Sequence, residues 1–146
     1  MQRASTVILL RFQSDLRYRN LVLRATQAAA KLVGQGDHPV FDDEVVAACS
    51  EAFNNIAVHA YPETPGEVEI QIEVHEDAVT IRMLDHGRSY ELDEQPDPDL
   101  ESLPESGLGI FIIKSFMDQV IYRPGAPNLL EMTKRIVSRP EQAATV

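Results

Sequence analysis

The sequence predicts an α+β fold, a two-layer sandwich whose mixed, mostly antiparallel sheet carries its helices on one face. Glu67 to Val74 (EVEIQIEV) alternates strictly between polar and apolar residues, the pattern of a strand with one wet and one buried face. His75-Glu-Asp77 then reads as a tight turn into Ala78 to Leu84 (AVTIRML), a returning and more buried strand. Two helical stretches precede this hairpin, and a helix and two more strands follow it, in the order β-α-α-β-β-loop-α-β-β. Strands joined by tight turns pair antiparallel, and helices segregated in this way cover one face of the sheet.

Taken in order, Thr6 to Phe12 (TVILLRF) is β-branched and apolar and forms the first strand. From Asp15 to Val33, the residues Leu16, Val22, Leu23, Thr26, Ala30 and Val33 recur at helical spacing, and Gly34-Gln-Gly36 ends that helix. Asp42 or Asp43 is the expected cap of a second helix running to about Ala60. Tyr61-Pro62 stops it, because the residue before a proline is driven out of the helical region. Thr64-Pro-Gly66 is a turn. Arg88 to Ser106 combines three prolines and a cluster of acids with few apolar residues, which marks a long loop acting as a lid. Gly107 to Asp118 is an apolar helix, Gln119 to Arg123 a strand, Pro124 to Pro127 a turn, and Asn128 to Ile136 the last strand. One domain over residues 1–146 is expected, with its ordered core at about 6–137, its lid at about 88–106, and a frayed tail.

Composition narrows the function. Hydrophobic residues make up 44% and charged residues 25% of the 146, which is ordinary for a globular domain with one core. A formal net charge of -10 argues against direct nucleic-acid or anionic-membrane binding, since both need a basic surface, and it suits a basic protein partner. The single cysteine, Cys49, allows no intrachain disulfide and falls on the apolar side of a helix. Met1 to Thr6 lacks a secretory signal, and no apolar stretch approaches the ~20 residues that span a bilayer, so a cytoplasmic location is expected.

Chemistry gathers at three places. In the second helix, Val45, Cys49, Ala52, Phe53, Ile56 and Ala60 form the core face, while Glu51, Asn55 and His59 follow one another at four-residue steps along another ridge. A solvated face is the ordinary reading of such a ridge. Yet the segment holds no Lys or Arg, although wet helical faces usually mix signs. One carboxylate and one amide suit a hydrated Mg²⁺, which wants oxygen ligands and few protein groups. Asn55 can offer its carbonyl oxygen, Glu51 can hold a water or accept a proton, and His59 is a supporting group rather than a base. Asp85-His86-Gly87 ends a buried strand. As a turn it is unremarked, but its carboxylate can also accept a hydrogen bond from an exocyclic amine such as adenine's, with Gly87 letting the backbone pass close to a ring. Finally, Ser106-Gly-Leu-Gly109 opens a helix at Gly107, Leu108, Gly109 and Ile110, where free N–H groups and the positive dipole end suit phosphate. It is neither a P-loop nor a dinucleotide fingerprint.

In combination, E-A-F-N-N-I-A-V-H-A-Y (51–61), D-H-G-R-S-Y-E (85–91) and S-G-L-G-I-F-I-I-K-S-F-M-D-Q-V-I-Y (106–122) resemble the successive ATP-binding boxes of the gyrase, heat-shock-90, histidine-kinase and mismatch-repair ATPase superfamily. The size, F-M-D-Q-V and E-M-T-K-R-I narrow this to a resemblance to the bacterial anti-sigma factor serine/threonine kinases of partner-switching systems. The resemblance implies a Bergerat-type ATP-binding fold with ATP and Mg²⁺ as cofactors. It implies Glu51 as general base, Asn55 as metal ligand, Asp85 as the adenine-reading carboxylate, and Gly87 beneath the base. Gly107 and Gly109 close on the phosphates, Thr133 stands near an adenine-bound water, and Arg24 contacts a partner. The implied function is phosphorylation of an anti-anti-sigma antagonist together with sequestration of a sigma factor, by a homodimer. The chain departs from the family pattern at Ser89, where a second glycine is usual, and in a lid without Lys or Arg between Ser89 and Ser106, for which the candidate substitutes are Arg88, Lys114 or a charge supplied by a partner. That lid supports one alternative, a catalytically weak ATP-gated binding module, and an ATPase subunit of another regulatory complex is a further one.

Overall fold

The protein is described by a computed structural model over residues 5–36, 38–89 and 108–136; Gly107, the expected lid from 90 onward and the tail from 137 lie outside these. Strands β1 (Thr6–Gln13), β2 (Glu67–Val74), β3 (Ala78–Asp85), β4 (Gln119–Arg123) and β5 (Asn128–Arg135) form one sheet in the order β1-β2-β3-β5-β4. All four pairings are antiparallel, so the sheet is not mixed among the described residues. The alternation of β2 works as the sequence predicts. Val68, Ile70 and Ile72 are fully buried, and the register sets Ile70 opposite Met83 and Ile72 opposite Ile81.

Helix α1 (Arg19–Ala30), α2 (Phe41–Asn55) and α3 (Leu108–Phe116) cover the face formed by these apolar residues, with α2 between the other two. The face away from the helices is polar at its centre. There Arg82 bonds Glu131 and Glu73, each at 2.8 Å, and the Arg82 bond holds the Glu73 carboxyl below its ordinary range. Within the described residues no helix is long and apolar enough to cross a membrane.

The helix ends depart from expectation. The first helical stretch is broken. Asp15 caps a short 3₁₀ turn, Leu16–Tyr18, by accepting from the Arg17 N–H at 2.9 Å, and only then does α1 begin. Leu16 is therefore half-exposed rather than part of the buried stripe. Val33 is buried, but in a second 3₁₀ turn (Val33–Gly36) whose Gly34 has φ +59°. Neither Asp42 nor Asp43 caps α2. The cap position is Val40, in the left-handed region at φ 64° without a side-chain bond, and Asp42, Asp43 and Glu44 fill the first turn, where their charge opposes the helix dipole. Past Asn55 the helix widens into a π-helical turn, Ile56–Ala60, closed by the Tyr61 N–H on the Ile56 carbonyl at 3.1 Å.

Candidate functional site

The six core-face residues expected in and beyond α2 are all buried, so α2 is oriented as its apolar spacing requires, and Glu51 and Asn55 fall on the side that meets the start of α3. Contact there is close. A methyl group placed on Gly109, in the first turn of α3, would stand 2.7 Å from Glu51 Oε2. The glycine is what lets the first turn of α3 (Leu108, Gly109 and Ile110) approach a carboxylate on a neighbouring helix. Half-buried on the same ridge, Asn55 has its side-chain nitrogen fully enclosed and without a hydrogen-bond partner. An enclosed amide left unpaired is costly, and its oxygen and nitrogen can exchange by a half-turn of the side chain. A half-enclosed carboxylate and an unsatisfied amide fit a hydrated Mg²⁺ beside a phosphate chain, and no trio of His, Cys, Asp or Glu able to hold a metal exists among the described residues.

The second centre is at the end of β3. Asp85 is 2% exposed; its Oδ1 accepts from the Gly87 N–H and from Asn128 Nδ2, both at 2.9 Å. Packing within the chain already requires Gly87. A methyl group there would lie 2.3 Å from the Ala60 carbonyl oxygen, and the next residue, Arg88, donates its N–H to that same oxygen at 2.9 Å. The π-helical turn thus packs directly on the Asp85 turn. Tyr61 adds a second tie, accepting from the His86 N–H at 2.6 Å and donating to the Glu67 carbonyl at 2.9 Å. Burial raises the Tyr61 hydroxyl above its ordinary pKa, so it stays protonated as that donor.

Other expected residues lie elsewhere. Thr133 is in β5, beside β3, but it pairs with Thr80 and bonds its hydroxyl at 3.2 Å. Side chains alternate along a strand, and Thr133 is an odd number of positions from Asn128, which pairs with Asp85. It therefore points to the helix-free face, away from Asp85, and the residue that meets Asp85 from β5 is Asn128. His59 is exposed, because the π-helical turn breaks the four-residue step after Asn55, and it makes no hydrogen bond to Glu51 or Asn55 among the described residues. Arg24 is exposed on α1, where a partner can reach it. Arg88 is exposed and lies 4.0 Å from Glu63, while Lys114 occupies the last turn of α3, the end away from Gly109. Cys49 is fully buried and its thiol is pushed up to about 12, which removes it from chemistry at neutral pH.

Tyr61 and Asn128 escaped the sequence reading. A tyrosine before a proline reads only as a helix stop. Asn128 opens an apolar strand, and its meaning depends on a pairing between segments far apart in the chain.

A carboxylate and amide on one helix, a glycine-bearing helix start against them and a buried aspartate at a strand end are gathered in one α+β domain, which the family match identifies as an ATPase domain. The family of the histidine kinase-like ATPase domain matches residues 12–134, and the chain belongs to it. The chain is 35% identical over 108 residues to the serine-protein kinase RsbW of Bacillus cereus (strain ATCC 10987 / NRS 248), covering 66% of each chain, just under two thirds of the relative's length. To the serine-protein kinase RsbW of Bacillus velezensis it is 27% identical over 145 residues, covering 92% of this chain and 88% of the relative. Acinetobacter baumannii histidine kinase AdeS superposes with a TM-score of 0.48 at 16% identity, over 88% of this chain and 68% of that one.

Proposed function

We propose that this protein is an ATP-dependent serine/threonine protein kinase that phosphorylates an anti-anti-sigma antagonist and, in its other state, sequesters a sigma factor. The observation that supports this best is the approach of Gly109 to Glu51, with the unpaired Asn55 amide on the same ridge. Asn55 would hold Mg²⁺, which when bound neutralises charge on the phosphate chain. The N–H groups at the start of α3, with Gly107 leading into it, would receive the phosphates. Glu51 would take the proton of the acceptor hydroxyl as that oxygen attacks the γ-phosphorus and ADP leaves. Such transfer needs positioning and charge neutralisation rather than covalent help from the protein. Asp85 would read the exocyclic amine of adenine, above Gly87.

The antagonist, the sigma factor and a homodimeric state are partners proposed from the similarity to the RsbW kinases, with Arg24 as an exposed contact. A phosphoryl group adds about -1.5 to -2 charges to the antagonist, which a chain of formal charge -10 would repel, freeing its surface for sigma. A second reading, an ATP-gated binding module without transfer, is favoured by the absence of Lys and Arg between Ser89 and Ser106. Incubation with γ-labelled ATP and an antagonist protein separates the two. Labelled serine or threonine is expected with wild type, falling at least about a hundredfold in Glu51→Ala while ATP binding persists. No label with wild type, despite ATP binding, would establish the binding module instead.

A further inference from the structure

Asn128 is fully buried, and every hydrogen-bonding position of its side chain is filled. Its Nδ2 donates to Asp85 Oδ1 at 2.9 Å and to the Gly87 carbonyl at 3.0 Å. Its Oδ1 accepts from the Gly125 N–H at 2.9 Å and from the Ser89 hydroxyl at 2.6 Å. Two donors and two acceptors used in this way fix the amide's orientation, because a reversed amide would set its oxygen against the Asp85 carboxylate and its hydrogens against the Gly125 N–H. One side chain thus joins the end of β3, the β4–β5 turn and Ser89.

We infer that Asn128 is a positioning residue for base recognition: by engaging Oδ1 of Asp85 it turns Oδ2 toward the exocyclic amine of adenine, and Ser89 helps hold the Asn128 amide in that orientation. The inference rests on the reading of Asp85 given above. Without Asn128, Oδ1 keeps only the Gly87 N–H, and the carboxyl group can rotate. Both oxygens then share the task, and the amine meets a carboxylate that is no longer held. A purely structural role would weaken the fold for any ligand alike, whereas a positioning role must be specific to the amine.

The test uses the whole chain and two nucleotides with Mg²⁺: ADP, and purine riboside 5′-diphosphate, which differs only in lacking the 6-amino group. Calorimetric titration is expected to show wild type preferring ADP by roughly ten- to a hundredfold, the range of a hydrogen bond to a charged group. In Asn128→Ala the ADP affinity should fall about tenfold and that of the analogue less than about threefold, so that the preference drops by roughly three- to tenfold. Ser89→Ala, at an exposed position that leaves the fold intact, should lower the preference about threefold by removing one bond that orients the amide. Equal losses for both ligands in Asn128→Ala, or an unchanged preference there, overturn the inference. If Asn128→Ala fails to fold, an unchanged preference in Ser89→Ala does so. A wild type without preference overturns the reading of Asp85 itself, and this inference with it.

Discussion

Gly87 and Gly109 both lack room for a methyl group, but the neighbours that fill the space differ in kind. At Gly87 the obstacle is backbone, the Ala60 carbonyl oxygen at 2.3 Å and its carbon at 2.6 Å, so the chain itself must move. Gly87→Ala is expected to cost about 2 kcal/mol and to lower the melting temperature by roughly 4–8 °C, as a thermal unfolding scan would read. At Gly109 the obstacle is the far end of a flexible side chain, Glu51 Oε2 at 2.7 Å. Alanine is also the better helix former, so Gly109→Ala should leave the melting temperature unchanged or slightly raised. It should nevertheless cut phosphoryl transfer at least about tenfold, because the carboxylate is displaced from its place. A stable variant with full transfer would remove Glu51 from the role of base. Glu51 and Asn55 could be found in the sequence because a four-residue step is a local property of one helix. Asn128 could not, since its partner Asp85 is 43 residues away and strand register is set by the whole sheet.

At the scale of elements, the strands were readable and the helix boundaries were not. The EVEIQIEV alternation commits β2 to one face whatever surrounds it, and all five strands stand within about a residue of their expected limits. Helix starts depend on backbone conformations that composition does not reveal. Asp42 and Asp43 offered two ordinary caps, yet the chain enters α2 through Val40 at φ 64°, a conformation that a β-branched residue rarely adopts. Val40 is 59% exposed, so its side chain contributes little packing to offset this. Left-handed backbone costs a non-glycine residue about 1–2 kcal/mol, and glycine's extra freedom in the unfolded chain costs about 0.5–1 in return. Val40→Gly is therefore expected to stabilise the protein by about 0.5–1 kcal/mol in urea unfolding, with an unchanged denaturant slope. A loss of stability would mean that Val40 is not strained. The π-helical turn after Asn55 is the other feature that periodicity missed. It arises where Ala60 must present its carbonyl to Arg88, a tertiary demand placed on a helix end.

Across the whole molecule, net charge is the one property the sequence states without any knowledge of the fold, and it sets a problem for the proposed chemistry. A chain of formal charge -10 has to attract a nucleotide that is itself anionic. The favourable groups are short-ranged: the N–H groups of one helix start, whose dipole acts within about a turn, and a metal ion that arrives with the nucleotide. The unfavourable field is long-ranged, and salt screens it over about 10 Å at 0.1 M. Approach and capture should therefore respond to salt in opposite senses. Raising salt from about 20 to about 200 mM weakens the long-range repulsion more than the close contacts, so the association rate of Mg·ATP should rise by roughly two- to fivefold while its dissociation rate changes little. Stopped-flow measurement with a fluorescent ATP analogue reads both rates. An association rate that falls with salt would mean that cations cluster around the nucleotide entrance, and the residue to test would then be Arg88. With the rise confirmed, the acidity of the chain would be a brake on nucleotide capture, and the close-range groups at Glu51, Asn55 and the start of α3 would have to supply the affinity.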